Sequence, residues 1–320
     1  MLGLWLENKN ISLRKDLLKP IPGKNEALIK ILKAGICNTD IELTKGYYPY
    51  TGVLGHEFVG LVEEGPHEIV GKRVVGEINI TCGKCQYCLT GLKNHCNNRS
   101  VLGIVNKNGA FSEYVTLPVV NILEVPETVS TEAASFTEPL AAALEIQQQI
   151  QISPTHKVLV IGDGKLGILV TQTLSLKGCE LWLVGHHEKK FMPLQQRGVI
   201  VGTEAIVRHH YFDIVIECTG NPSGFKLALN ALKPRGVLVM KSTYAGALQT
   251  DAALIVVNEI TLTGSRCGPF QPALNLLARK LIDVESLIER EYPLSEGLAA
   301  FEHAKRSGAM KILLNTTAHE

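Results

Sequence analysis

No charge of one sign dominates this sequence. Lysine plus arginine number 32 and aspartate plus glutamate 31, leaving a net charge of +1 over 320 residues. A near-neutral chain has no bulk electrostatic reason to seek nucleic acid or an anionic membrane surface. Long hydrophobic runs are also missing: no uncharged stretch reaches the ~18 apolar residues of a membrane span. The opening segment, MLGLWLENKN, carries an acid at Glu7 and no extended apolar core, so a secretory signal is not expected and the chain reads as cytoplasmic. Internal repeats and low-complexity tracts are absent. What is present is an ordinary globular composition, 45% apolar and 20% charged, which excludes disorder as a description of the whole. The length points to about two domains.

The first ~135 residues are rich in glycine, β-branched residues and turns, and Ala27–Leu32, Glu57–Val62, Arg73–Val75 and Glu113–Leu117 read as short strands of a β-rich domain. The texture changes near Thr131. Residues 133–150 are alanine- and glutamine-rich and predict a helix, with Pro139 near its start. From Lys157 strands alternate with helical stretches: Val158–Ile161, Leu181–Val184, Asp213–Glu217 and Val237–Met240 are the strands. That alternation predicts an α/β, doubly wound parallel sheet. The expected division is 1–139 with 269–320 against 140–268. Periodicity alone cannot return the last segment, with its helices near 272–280 and 294–306 and its strand at 310–314, to the first domain.

Eight cysteines suggest four disulfides, but a long chain without an export signal needs no such staples. Four of them follow the spacing Cys82-x2-Cys85-x2-Cys88-x7-Cys96. Four thiolates at that spacing suit a closed, structural tetrahedral zinc site. Gly83 and Gly91 allow tight turns, and Lys84 and Lys93 offset negative charge. An iron–sulfur cluster uses the same donors; four unpaired packing thiols would be the inert alternative. His95 is a possible competing ligand but reads as a surface residue. A second donor set is Cys37, in Gly35-Ile36-Cys37-Asn38-Thr39-Asp40, with Gly55-His56-Glu57 downstream. Three such ligands leave a zinc position open for water or substrate. Each alone would more often be a buried thiol or a satisfied histidine.

Gly162-Asp163-Gly164-Lys165-Leu166-Gly167 follows a strand and opens a helix. Its glycines make the turn, admit a pyrophosphate to the backbone and permit close helix packing. The helix N-terminus then favours the negative charge.

Taken in order, Cys37, Gly-His-Glu, the four-cysteine lobe, Glu138-Pro139-Leu140 and the glycine loop resemble the zinc-dependent medium-chain dehydrogenase/reductase superfamily, the alcohol dehydrogenases in the broad sense. The resemblance covers essentially the whole chain. Glu-Pro-Leu and Gly264-Ser265-Arg266 look closest to the sorbitol, threonine and polyol dehydrogenase branch. It implies a GroES-like catalytic domain, a Rossmann coenzyme domain inserted before the C-terminal segment, and two zinc ions per chain. It implies Cys37 and His56 as ligands of the catalytic zinc, Glu57 as a ligand or exchanging carboxylate, and Glu138 at the metal directly or through water. Thr39 would pass the substrate proton, Asp40 would orient a ligand, and Arg266 would anchor substrate hydroxyls. Outside that context Asp40 reads as a turn residue, Arg266 as a surface cation and Glu138 as a helix N-terminal acid.

The implied coenzyme contacts are Gly162, Gly164, Lys165, Leu166, Gly167, Gly185, His186, His187, Lys190, Thr219 and Ser265. Gly185 stands where NAD enzymes carry an acid for the ribose. The neighbouring His186, His187, Lys189 and Lys190 can receive a 2′-phosphate, which favours NADP, while Glu188 keeps NAD open. The expected activity is hydride transfer between a primary or secondary alcohol and NAD(P)+, in a homodimer or homotetramer. A zinc aldehyde or ketone reductase using NADPH, and a non-catalytic coenzyme-binding protein, are the alternatives. The sequence departs from its relatives by Glu42 where some have a relay histidine, and by a short stretch at 198–211. Cys179, Cys218 and Cys267 read as packing residues, and Tyr47, Tyr48 and Tyr50 as pocket residues.

Overall fold

The computed structural model describes residues 1–187, 190–242 and 248–317. The chain divides into two compact units, Met1–Glu138 with Phe270–Glu320, and Pro139–Pro269.

In the first unit a seven-stranded sheet runs in the order Ile122–Glu124, Arg73–Gly76, Glu57–Glu64, Glu26–Gly35, Lys311–Asn315, Ile288–Pro293, with Tyr114–Pro118 also paired to Glu26–Gly35. The long strand Glu26–Gly35 is the hub. Antiparallel register sets Gly35 opposite Glu57 on one neighbour and opposite Leu313 on the other. That second pairing brings the C-terminal segment back to the N-terminal domain. Leu28, Ile29, Ile31, Val59, Val62, Leu313 and Leu314 are buried along these strands. Beyond Gly35 the chain turns at Cys37 into the helix Asn38–Lys45, closed by Gly46 in the left-handed region at φ 92°, a conformation glycine adopts without strain.

The second unit holds a six-stranded parallel sheet. Its order is Ile200–Gly202, Glu180–Val184, Lys157–Ile161, Phe212–Glu217, Leu232–Met240, Thr261–Gly264. Counted along the chain this is 3-2-1-4-5-6, the doubly wound order whose direction reverses between the strands Lys157–Ile161 and Phe212–Glu217. The central strands are near-continuous apolar runs because helices cover both faces of a parallel sheet. The helix Pro222–Ala231 starts with proline in its first turn, and the Asn221 side chain accepts from the Ser223 amide; both are standard start signals.

Two differences from the sequence reading matter. The stretch 198–211 supplies a sheet strand, Ile200–Gly202, too short for its hydrophobic period to register. The expected helix at 294–306 is a 3-10 turn, Leu294–Glu296, followed by a helix from Gly297 to Ala304. Among the described residues no helix is long and apolar enough to cross a membrane.

Candidate active site

One ligand atom from each of Cys37, His56 and Glu57 lies within 4.8 Å of the others. The sheet produces this convergence: Cys37 leaves the end of strand Glu26–Gly35, while Glu57 begins the strand whose register faces Gly35. Asp40, buried in the first helical turn, serves two of the three. Its Oδ2 accepts from the Cys37 amide at 2.9 Å, and its Oδ1 lies 3.2 Å from His56 Nδ1. The second approach is misaligned for a hydrogen bond and leaves both atoms without another partner. A carboxylate on one ring nitrogen is the usual support for a histidine whose other nitrogen binds metal. Burial works against charge on His56, but Asp40 and Cys37 outweigh it and raise its pKa well above the ordinary value. The Cys37 Sγ and Thr39 Oγ1 atoms are 3.7 Å apart. Thiol, imidazole and carboxylate are all zinc donors, so this set fits zinc.

The four-cysteine lobe fits it too. All four thiols form one group within 4.8 Å, and the Cys85–Cys88 and Cys82–Cys96 sulfur pairs are each 3.5 Å apart. A zinc tetrahedron with arms of about 2.3 Å has edges of about 3.8 Å, whereas a disulfide would need about 2.05 Å. The backbone amides of Lys84 and Cys85 aim at the Cys82 sulfur and bring its pKa down to about 6, towards the thiolate that binds metal. Gly83 and Gly91 occupy the left-handed region, at φ 70° and 84°. His95 is exposed and outside the four-thiol group.

In the second unit, strand Lys157–Ile161 runs into Gly162 at φ 111°, and helix Lys165–Ser175 starts after its N-cap, Gly164. A Cβ on Gly167 would fall 1.8 Å from the Gly162 carbonyl oxygen, so helix and strand approach as closely as only glycine allows. A Cβ on Gly164 would meet nothing within 4 Å, leaving the backbone open there to a pyrophosphate.

Residues 23–127 match the alcohol dehydrogenase GroES-like domain and residues 166–279 the zinc-binding dehydrogenase family. A sorbitol dehydrogenase of Halalkalibacterium halodurans is 29% identical over 92% of this chain and 93% of its own length. An L-threonine 3-dehydrogenase of Shewanella woodyi is 28% identical over 98% and 96%. Among solved structures, a zinc-binding dehydrogenase of Sinorhizobium meliloti bound to NADP superposes with a TM-score of 0.89 at 28% identity, covering 98% of both chains. The alcohol dehydrogenase TADH of Thermus sp. ATN1 gives 0.90 at 27%, covering 99% and 100%.

The chain belongs to the zinc-dependent medium-chain dehydrogenases.

This dehydrogenase is an oxidoreductase acting on CH–OH donors. Its structure refines several residue expectations. Glu138 sits in the first turn of helix Thr137–Gln149, outside the 4.8 Å donor group, within the electrostatic reach of Lys311. Arg266 lies exposed in the second unit, within the field of Glu145. Thr219 is held by Glu217 through its amide at 2.5 Å and through its hydroxyl. Ser265 accepts from Lys241 at 3.3 Å. His186 is exposed, Lys190 is half-buried, and Glu188 and Lys189 lie outside the described residues. Tyr50 is not a free pocket phenol: its hydroxyl is taken by the carbonyls of Val53 and Lys107, at 2.7 and 3.0 Å.

Two residues escaped the sequence reading. Lys311, 1% exposed, pairs with Glu57 beside the donor group; the one hint was a lysine inside the apolar run Met310–Leu314. Asp163 sits inside the glycine loop and binds the backbone at Gly185's neighbours. Nothing in a glycine motif marks its variable position.

Proposed function

We propose that Cys37, His56 and Glu57 hold a catalytic zinc, that Cys82, Cys85, Cys88 and Cys96 hold a structural one, and that the enzyme oxidises a primary or secondary alcohol, a polyol foremost, with NAD(P)+. The carrying observation is the thiol–imidazole–carboxylate convergence within 4.8 Å, with Asp40 buried behind it. The polyol preference is supported by the relative named sorbitol dehydrogenase; the threonine dehydrogenase relatives support a secondary alcohol.

Zinc, when bound, supplies a Lewis acid that lowers the pKa of an alcohol oxygen. The nicotinamide coenzyme, when bound, supplies the hydride acceptor. The chain's own residues position and exchange protons. Asp40 holds the Cys37 backbone by a hydrogen bond and faces the His56 ring at 3.2 Å, so that one buried carboxylate backs two donors. Thr39 Oγ1, beside the Cys37 sulfur, takes the proton of the substrate hydroxyl. Glu57 would be one of the residues holding the zinc, and its pairing with Lys311 keeps it from being an unpaired buried charge when it is not a ligand. Glu138 adds a second carboxylate near that pair. Gly162, Gly164, Lys165, Leu166 and Gly167 cradle the pyrophosphate at the helix N-terminus.

In this reading the unit holding Cys37 is the catalytic domain and the parallel-sheet unit the coenzyme domain. The enzyme works in the cytoplasm, in keeping with eight free cysteines and a reducing compartment. It assembles as a homodimer or homotetramer. The open edge strand Thr261–Gly264 supports this, with exposed Leu262 on it and Val256 and Val257 in the preceding helix, a surface that folded proteins cover. The deciding experiment follows reduced-nicotinamide absorbance across polyols, amino alcohols and simple alcohols, with light scattering for assembly. Zinc-dependent turnover of at least one alcohol is expected. A fully metallated protein inert on the whole panel in both directions would overturn the reading.

A further inference from the structure

The end of strand Glu180–Val184 is where a dinucleotide fold normally places an acid for the adenosine ribose, about 20 residues past the glycine loop. Here that position is Gly185, which has no side chain to offer. The space is nevertheless filled. A Cβ on Gly185 would fall 2.2 Å from Asp163 Cγ and 2.5 Å from Asp163 Oδ2. The carboxylate absent from one strand end is present on the neighbouring loop, in the same volume.

We infer that Asp163 is the adenosine-ribose acid of this enzyme, moved from the second strand into the glycine loop, and that it selects NAD(H) over NADP(H). The inference rests on the dinucleotide reading of the loop. Asp163 is 5% exposed and held in place. Its Oδ2 accepts from the amides of His186 at 2.9 Å and His187 at 2.6 Å, with the His187 ring nitrogen at 3.1 Å. Its Oδ1 carries, among the described residues, only that ring nitrogen at 3.2 Å. A carboxylate has about four acceptor positions, so capacity remains for ribose hydroxyls. Burial raises the acid's pKa, but the His187 amide and ring more than offset it, and the group stays ionised.

The same geometry removes part of the basic cluster that favoured a 2′-phosphate. His187 is drawn onto Asp163, and Lys190 lies in the field of the same carboxylate. A 2′-phosphate carries about 1.5–2 negative charges. Beside a fixed carboxylate it meets like charge, whereas a ribose diol meets a hydrogen-bond acceptor. It also follows that Gly185→Asp alone, the substitution the sequence suggests for converting preference, places two side chains in one space.

The test is equilibrium binding of NADH and NADPH, and of 5′-AMP and 2′,5′-ADP, to the full-length zinc-loaded protein, with thermal midpoints for every variant. Wild type should bind NADH at least ~tenfold tighter than NADPH, the scale of like-charge rejection at a partly solvated site. Asp163→Asn keeps an acceptor for the two amides and removes the charge; it should bring the ratio to within about threefold. Gly185→Asp alone should lower the midpoint. The double variant Asp163→Gly/Gly185→Asp, which returns the carboxylate to the strand, should recover both midpoint and NADH preference. A wild type that prefers NADPH, or an Asp163→Asn variant with an unchanged ratio, would overturn the inference. A folded wild type that binds neither coenzyme would overturn the dinucleotide reading and this inference with it.

Discussion

At Lys311 a full positive charge lies inside the protein, with its ammonium on Glu57 and near the face of Phe136. Burial lowers its pKa, yet Glu57 and Cys37 reverse the shift and keep it raised. Removing one member of such a pair costs more than the pair contributes, because the survivor is left as a buried, unpaired ion; the usual cost is about 3–5 kcal/mol. Lys311→Met should therefore destabilise the zinc-free protein by about that much. Zinc should restore more of the midpoint than it does in wild type, since Glu57 then has the metal as partner. Thermal unfolding with and without chelator measures both, and equal losses in the two states would show that Glu57 gains nothing from the metal. Thr39 carries a different kind of test. Thr39→Val keeps shape and removes the hydroxyl, and loss of a proton-relay group costs about 10²–10⁴ in turnover. Near-normal turnover of Thr39→Val from mildly acidic to alkaline pH would remove it from the proton path.

At the scale of elements, the donor group is a product of strand register. Gly35 faces Glu57 and Leu313 on its two neighbours, and a Cβ there would lie 2.6 Å from Glu57 Oε2 and 3.1 Å from Lys311 Cδ. Both contacts are ends or stems of side chains that are buried and paired, so neither can swing into solvent. Overpacking of this kind costs about 1–3 kcal/mol. Gly35→Ala should lower the thermal midpoint accordingly and weaken zinc at the Cys37 site while the four-cysteine lobe stays loaded. Site-resolved metal content, by competition with a chromogenic chelator, checks it; an unchanged affinity would mean that the Glu57–Lys311 pair is free to move.

For the whole molecule, the two metal groups should separate stability from chemistry. Residues 82–96 contain few buried apolar side chains beyond Cys88 and Cys96, so zinc binding should supply much of the lobe's folding energy. Cys85→Ser should give a less stable or poorly assembled protein. Cys37→Ala should abolish turnover while leaving coenzyme binding intact, because the glycine loop belongs to the other unit. The fully loaded wild type should hold about two zinc ions per chain, one closed site and one open. One zinc per loaded chain, or full activity in Cys37→Ala, would refute the two-site assignment.

Several features are legible from local spacing alone. Thiols with two and seven residues between them can share one tetrahedron, because a loop that short must bring them together. The glycine motif carries its strand–turn–helix context in its own neighbours, and long apolar runs between helical stretches imply a covered parallel sheet. Other features depend on pairings between distant segments. Lys311 reaches Glu57, 254 residues away, only because the last strand pairs with Glu26–Gly35; that choice of neighbour has no local signature in an apolar run. Asp163 reads as a variable residue until the loop folds against the end of strand Glu180–Val184. A missing acid at Gly185 is visible in sequence, but its replacement from the glycine loop is a matter of three-dimensional volume, since two side chains cannot occupy one space and the one that does so sets the charge of the site.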